Sequence, residues 1–403
     1  MVVLLTTSEG FGIDRYSREL SKRIRVPTLE SRRYLSLKDS FALLRRLKQD
    51  PYIVHFPSQH FARCGLFLGK PFIITVHDLA RICFPFAKET LLEKIGLKLD
   101  ALGLRRAEHI ITVSACTKAD LVHYLNIPKN KISVIYNGVD RQVFKPLSRK
   151  RCDFSYLLYV GSERPRKNLG TLLEAFAILK RESSALRDVK LVKVGSAGRT
   201  EEFRRATLGE VRHLGLENEV IFVDHISSDE ELAGYYSSAM GLIMPSLYEG
   251  FGLPLIEAMA CGCPVITSNS SSLPEVAGNA ALFFTPHDGL ELARLIHRLI
   301  TEPVLRDELI RKGFERVERF SCEKAACETL QVYRGVEAEL GSRQRRREAD
   351  GNLAAGVGRV ERAPSLSKPP TVGESWAPVE CFRCGVRCTR YRPRVTPEEG
   401  GTY

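Results

Sequence analysis

Short β-branched runs alternate with stretches of helical periodicity along this chain, and the alternation runs twice. In the first 150 residues, strands are expected at Val2–Thr6, Tyr52–Phe56, Phe72–His77, His109–Ser114 and Lys131–Tyr136, with helical stretches at Asp14–Arg23 and Lys88–Arg106. The pattern restarts with a strand at Tyr156–Val160. After it, Leu169, Leu172, Leu173, Phe176 and Leu179 recur at helical spacing within Asn168–Arg181. Strands at Val189–Val194, Val220–Val223, Leu242–Met244 and Pro264–Thr267 then alternate with helices at 201–213, 229–238 and 254–260. Alternation of this kind specifies an α/β chain with parallel sheets covered by helices on both faces. Two such Rossmann-like units, joined near residues 140–152, enclose a cleft. Ligands of such sheets sit beyond the carboxyl ends of the strands.

A length of 403 residues accommodates two cores. Further helices are expected at 288–301, 303–316 and Ser321–Leu340. Beyond Gly341 the chain turns basic at Arg343–Arg347 and then rich in Gly, Pro, Arg and Ser, the composition of a disordered tail over 341–403. Cys381, Cys384 and Cys388 in that tail have the spacing of metal ligands, but no fourth Cys or His stands nearby to complete a structural zinc site. No metal is therefore expected. Eleven cysteines at irregular spacing, and no basic stretch ahead of the first apolar run, point to a reducing, cytoplasmic setting. No apolar run approaches the roughly 20 residues that span a bilayer.

The segment PSLYEGFGLPLIEAMACGCP (residues 245–264) carries the chemistry. A strand ends at Met244 and a Gly-rich loop follows. Pro254 suits a first helical turn, and Gly262 suits the helix end. Small residues let backbone N–H groups approach a ligand, and a helix N-terminus favours negative charge there. Glu249 and Glu257 flank that helix start, so both can face one ligand lying across it. A carboxylate accepts two hydroxyl hydrogen bonds, which suits a sugar or a ribose. Each glutamate alone would read as a solvated surface charge; the loop and cap pattern lifts the pair above that reading.

This segment resembles the donor-binding signature of the family 4 retaining glycosyltransferases, which have the GT-B fold. The resemblance extends to GSERPRKN (161–168), similar to the family's phosphate-binding loop, and to VIYNGVD (134–140), SCEKAA (321–326), and Gly10-Phe-Gly12 with the helix after it. It covers about residues 1–340. It implies an N-terminal acceptor-binding domain at 1–145 and a C-terminal nucleotide-sugar-binding domain at 146–340. It assigns Glu257 to the ribose hydroxyls, and Glu249 with the backbone of Gly250, Phe251, Gly252 and Leu253 to the transferred sugar. Lys167 and Arg166, beside Gly161, are assigned to the diphosphate. His77, at the end of its strand, approaches the donor sugar; otherwise it is a core histidine satisfied by a backbone carbonyl. Gly10, Gly12 and Asn137 fall on the acceptor or cleft side, and His55 and His60 are weaker candidates there. Where many members have an arginine directly after the glycine, this chain has Ser162, so Arg164 or Arg166 must compensate.

The activity implied is retaining transfer of a mannose- or glucose-type hexose from a nucleotide-diphosphate sugar, a co-substrate, with no cofactor. The acceptor implied is a glycan or a polyprenyl- or other lipid-linked molecule. The chain has no Asp-x-Asp pair, the metal-holding element of the other large glycosyltransferase fold, which fits metal-independent chemistry. Glycan phosphorylases need a much longer chain and a pyridoxal-phosphate lysine, and no nucleic-acid-binding module is recognisable. Residues 1–150 hold 26 Lys/Arg against 13 Asp/Glu, while residues 151–340 hold 22 against 28. A basic first half suits an anionic partner, such as the inner face of a membrane engaged peripherally through Lys88–Arg106, or is simply well solvated.

Overall fold

The computed structural model describes residues 2–7, 13–31, 43–47, 53–84, 90–148, 151–198 and 200–356, with side chains described as far as residue 349. Among them are two sheets, each of six parallel strands. The first contains β1 (Val2–Thr7), β2 (Thr28–Ser31), β3 (Ile53–Phe56), β4 (Phe72–Val76), β5 (His109–Thr112) and β6 (Ile132–Val134), in the order β2-β1-β3-β4-β5-β6. The second contains β7 (Tyr156–Val160), β8 (Lys190–Val194), β9 (Val220–Val223), β10 (Gly241–Met244), β11 (Val265–Ser268) and β12 (Ala281–Phe284), in the order β12-β11-β10-β7-β8-β9. This is the expected GT-B arrangement of two Rossmann-like units.

Helices cover both faces of each sheet, which is why the central strands β3, β4, β7 and β10 read as largely apolar runs, whereas the edge strand β2, with sequence TLES, does not. In the first sheet Val3, Leu5, Val54, Phe56, Phe72 and Ile74 point into one core, and Val2, Leu4, Ile53, Ile73 and Ile111 into another. In the second sheet Tyr156, Leu158, Val192 and Leu242 divide in the same way from Leu157, Tyr159, Leu191 and Ile243. The strand order of the second sheet reverses direction between β7 and β10. Loops leaving those two strands therefore diverge and open a crevice at their carboxyl ends.

The last helix, Cys322–Gly356, departs from expectation in two ways. It runs past residue 341 into the stretch expected to be tail. It also returns to the first unit, although its start falls within the range 146–340 expected for the second. Ala325, Ala326, Leu330, Tyr333 and Val336 pack against Val2, Leu4, Ile53, Ile73 and Ile111. Val139 and Ser321 pair in parallel at the crossing, and a Cβ on Gly138 would meet the Cys322 amide nitrogen at 2.2 Å. Residues 357–403, with Cys381, Cys384 and Cys388, lie outside the described residues.

His55 marks this seam. Its ring is fully buried, with Nδ1 2.6 Å from the Tyr333 hydroxyl and Nε2 2.9 Å from Thr75 Oγ1. It is a structural residue of the core and not part of an acceptor wall. Burial drives its pKa from 6.5 down to about 3, with His77 adding to the shift. The neutral ring is thus favoured in the folded state, and the unfolded chain binds the extra proton between those values. Stability from this site is complete above pH 6.5 and is lost as pH falls toward 3. The expected slope is at most about 1.4 kcal/mol per pH unit. Urea titrations across that range should show the wild type losing stability more steeply than His55→Gln; parallel profiles would refute the assignment.

Candidate functional site

β7 ends in Gly161, and a short turn, Pro165–Lys167, leads into helix Leu169–Glu182. Asn168 joins turn to helix at φ 56°, a left-handed conformation that asparagine tolerates better than most residues. Its Nδ2 donates to the carbonyls of Pro245 (3.0 Å) and Pro286 (2.6 Å), and its Oδ1 accepts from Thr171 Oγ1 at 3.0 Å. Asn168 thereby fastens the β7 loop to the β10 loop. Behind the turn, Glu163 and Lys193 form a fully buried pair at 2.7 Å, extended by Arg204. The side chain of Arg164 turns toward Gly198. Of the two arginines weighed against Ser162, Arg166 is the one beside the Gly-rich loop.

That loop leaves β10 and enters helix Leu253–Ala260 through Gly252, whose φ of 98° excludes ordinary side chains. Glu249 stands in it, buried. Its Oε1 accepts from Lys167 Nζ (2.5 Å) and Ser246 Oγ (2.7 Å), and its Oε2 from Arg166 at 3.3 Å. Burial opposes the Glu249 charge, but Lys167 and Arg166 outweigh it and hold the carboxyl below its usual range. Desolvation dominates at Lys167, whose pKa is lowered despite Glu249. The Glu249 amide donates to Ser271 Oγ (2.8 Å), and Ser272 Oγ donates to the carbonyls of Glu249 (2.9 Å) and Phe251 (3.1 Å). Phe251 turns its ring into the core beside Tyr136 and Phe320, leaving only its backbone for a ligand. Among the described residues, the amides of Gly250, Phe251 and Gly252 have no hydrogen-bond acceptor. Two cations and a helix N-terminus with unpaired amides thus converge at the crevice, an arrangement that stabilises negative charge.

The first unit closes against this loop. A Cβ on Gly250 would lie 1.7 Å from the carbonyl oxygen of His77, so no other residue fits there without moving the units apart. The His77 amide donates to Gln59 Oε1 at 3.0 Å, and its Nε2 donates to the Pro57 carbonyl at 2.8 Å. His77 therefore stands at the crevice with its ring anchored by a backbone carbonyl. Tyr248 reaches across, donating to Asp120 (2.6 Å) and accepting from the Leu79 amide (3.1 Å). Glu275 caps helix Ala115–Leu125 through the amides of Ala115 (2.7 Å) and Cys116 (3.2 Å).

Glu257 lies one helical stretch further on, also buried. It accepts from Arg15 of the first unit (2.5 Å) and from the Tyr236 hydroxyl (2.9 Å). Arg15 also pairs with Asp229 and lies over Phe144. A cavity of about 210 Å³ beside this cluster is lined by Arg15, Asp229, Glu230, Leu253 and Glu257. Asn137 is buried nearby, and its Oδ1 has no partner among the described residues. Gly10 and Gly12 lie outside the described residues. The structure thus gathers Gly161, Arg166, Lys167, Glu249, Gly250, Phe251, Gly252 and Leu253 with His77, and sets Glu257 and Asn137 alongside. Sequence reasoning passed over Arg15, Asn168, Ser246, Tyr248 and Glu275. Only Asn168, a polar residue at a strand-to-helix turn, carried a local signal.

The sequence pattern described as Glycosyltransferase Family 4 matches residues 2–143, and that described as Glycosyl transferases group 1 matches residues 140–316. This chain is a family 4, group 1 glycosyltransferase. The enzyme is 26% identical over 377 residues to O-antigen chain mannosyltransferase B of Escherichia coli, an alignment covering 80% of this chain and 96% of that protein. It is 33% identical over 245 residues to the MMP alpha-(1->4)-mannosyltransferase of Mycolicibacterium hassiacum, covering 59% of this chain and 56% of that one. Among solved structures it resembles the sucrose-phosphate synthase of Thermosynechococcus elongatus (TM-score 0.68, 26% identity, 84% of this chain and 99% of that one). Anabaena HepE, solved with UDP-glucose, shares the fold (TM-score 0.69, 18% identity, covering 82% and 99%).

The enzyme's cleft should be acutely sensitive at Gly250. Gly250→Ala should leave the far-ultraviolet circular dichroism unchanged, widen the molecule in small-angle scattering and lower activity at least about tenfold, as misplacement by an ångström does at other active sites. Unaltered scattering and activity would show that the units are not held at this contact.

Proposed function

We propose that the cleft transfers a hexose, with retention of anomeric configuration, from a nucleotide-diphosphate sugar to a glycan or lipid-linked acceptor. The observation carrying this reading is the meeting of Lys167, Arg166, Glu249 and the Gly250–Leu253 helix start at the β7/β10 crevice. A departing diphosphate needs positive charge where its own charge develops, and pre-placed cations and amides supply it. Lys167 and Arg166 take that role. Glu249, fixed by Ser246, orients the hydroxyls of the transferred sugar. Glu257 holds the ribose, exchanging its Arg15 contact for the nucleoside, and His77 lines the sugar side.

In the transfer, the bond from the anomeric carbon to the diphosphate oxygen breaks while the acceptor oxygen attacks from the same face. The acceptor's proton passes to the departing phosphate oxygen, so no protein nucleophile is required. The mannosyltransferase relatives support a mannose-type donor, and the family resemblance supports an acceptor held against the first unit. The basic balance of residues 1–150 suits an acceptor bearing phosphate, and a location on the cytoplasmic face of a membrane. No helix among the described residues is long and apolar enough to cross one.

Transfer assays with GDP-mannose, UDP-glucose and UDP-mannose, read by nuclear magnetic resonance of the product, test the reading; an inverted anomeric centre refutes retention. Glu257→Ala should chiefly raise donor KM, whereas Glu249→Ala should chiefly lower kcat. Losing a hydrogen bond to a charged group costs about 1–3 kcal/mol, or roughly 5- to 150-fold. Wild-type kinetics in either variant would overturn its assignment.

With Lys167 and Arg166 supplying the charge, activity should persist after exhaustive dialysis against a chelator. Loss of turnover restored by Mn²⁺ or Mg²⁺ would contradict the metal-independent reading.

A further inference from the structure

Helix Leu91–Arg106 is firmly built on one side and bare on the other. Thr90 and Glu93 cap its start reciprocally, so the first turn is held. Gly96, Gly103 and Leu104 are buried, and a Cβ on Gly103 would lie 2.0 Å from the Ala62 carbonyl of the neighbouring helix, Ala62–Leu68. Arg63 on that helix pairs with Asp100 at 2.7 Å. The opposite side carries Leu91, Ile95 and Leu102, 74%, 46% and 48% exposed, and Leu92, 80% exposed, stands on its flank at the first turn. At 3.6 residues per turn, positions 91, 95 and 102 fall within about 40° of one another. Lys94, Lys98 and Arg105, all exposed, form a second row about 60° round the helix.

Single exposed leucines are ordinary on a protein surface, but a stripe of them beside a row of cations is not. We propose that this face of helix Leu91–Arg106 docks the enzyme on an anionic lipid bilayer. The leucines and Ile95 enter the interface, and Lys94, Lys98 and Arg105 lie among the headgroups. Charge complementarity singles out this occupant. A second copy packed antiparallel on the same face about a two-fold axis would set the cationic rows against each other. The helix also borders the cleft segments: Leu97, Asp100, Ala101 and Leu104 share a cavity with Gln59, Asp78, Leu79 and Arg81, next to His77. Docking here therefore holds the acceptor side of the cleft near the membrane. The purpose of this surface rests on the lipid-linked acceptor reading; its physical test does not.

Full-length enzyme is sedimented with phosphatidylcholine vesicles and with vesicles that also contain phosphatidylglycerol, at low and high salt. Wild type should bind the anionic vesicles, release them at high salt and ignore the neutral ones. A Leu91→Ser/Leu92→Ser/Ile95→Ser variant and a Lys94→Glu/Lys98→Glu variant should each bind about tenfold more weakly or less. Both should retain wild-type transfer to a water-soluble acceptor. Failure of wild type to bind anionic vesicles, or undiminished binding by both variants, overturns the proposal, as does a wild-type oligomer that the leucine variant dissolves. Vesicle binding without transfer to any lipid-linked acceptor would leave the docking surface standing and refute the acceptor reading instead.

Discussion

A buried carboxylate held between two cations organises the second unit. Glu249 is buried, so its charge depends on Lys167, Arg166 and Ser246, which arrive on a different loop or a different part of its own. Removing one partner of such a cluster leaves an uncompensated charge, which costs far more than the net worth of the pair. Both loops are thereby fixed relative to each other, and Asn168 repeats the fastening through the Pro245 carbonyl while also holding that of Pro286, beyond β12. The cations are thus held in place by the protein itself, as the proposed stabilisation of a departing diphosphate requires.

The seam between the units is built from contacts of a different kind. Gly250 meets the His77 carbonyl, Tyr248 bridges Leu79 and Asp120, Glu275 caps a helix of the first unit, and Arg15 reaches Glu257. All but the first are polar and hydrogen-bonded, and beside them Tyr136 of the first unit packs its ring against Phe251 of the loop. Polar interfaces between domains are the kind that open and close without loss of fold. Arg15 ties the seam directly to Glu257, the residue proposed to hold the ribose.

Local chemistry made much of this legible beforehand. The central strands of both sheets are largely apolar runs, though the edge strands β2 and β12 were not anticipated, and Gly252, Pro254 and Gly262 mark a loop, a helix start and a helix end within a dozen residues. Lys167 and Glu249 were visible because each sits on a strand-to-helix turn. Partners distant in sequence were not. Nothing near Arg15 announces Glu257, 242 residues away, and nothing near Glu275 announces Ala115. Helix Ala62–Leu68 escaped notice because its run ARCGLFL is short and largely apolar, without a periodic polar face. The long final helix was truncated in expectation because Arg343–Arg347 breaks the apolar pattern without breaking the helix.

That final helix also dictates the order in which the molecule can be made. Val2, Leu4, Ile53, Ile73 and Ile111 emerge from the ribosome early, yet Ala325, Ala326, Leu330, Tyr333 and Val336, which cover them, emerge only after the entire second unit. During synthesis the second sheet can complete itself while this face of the first is covered only in part, by residues such as Leu20 and Ile24. A nascent chain of this enzyme thus passes through a long interval in which its earliest strands lack their final cover, the condition under which unfinished chains aggregate.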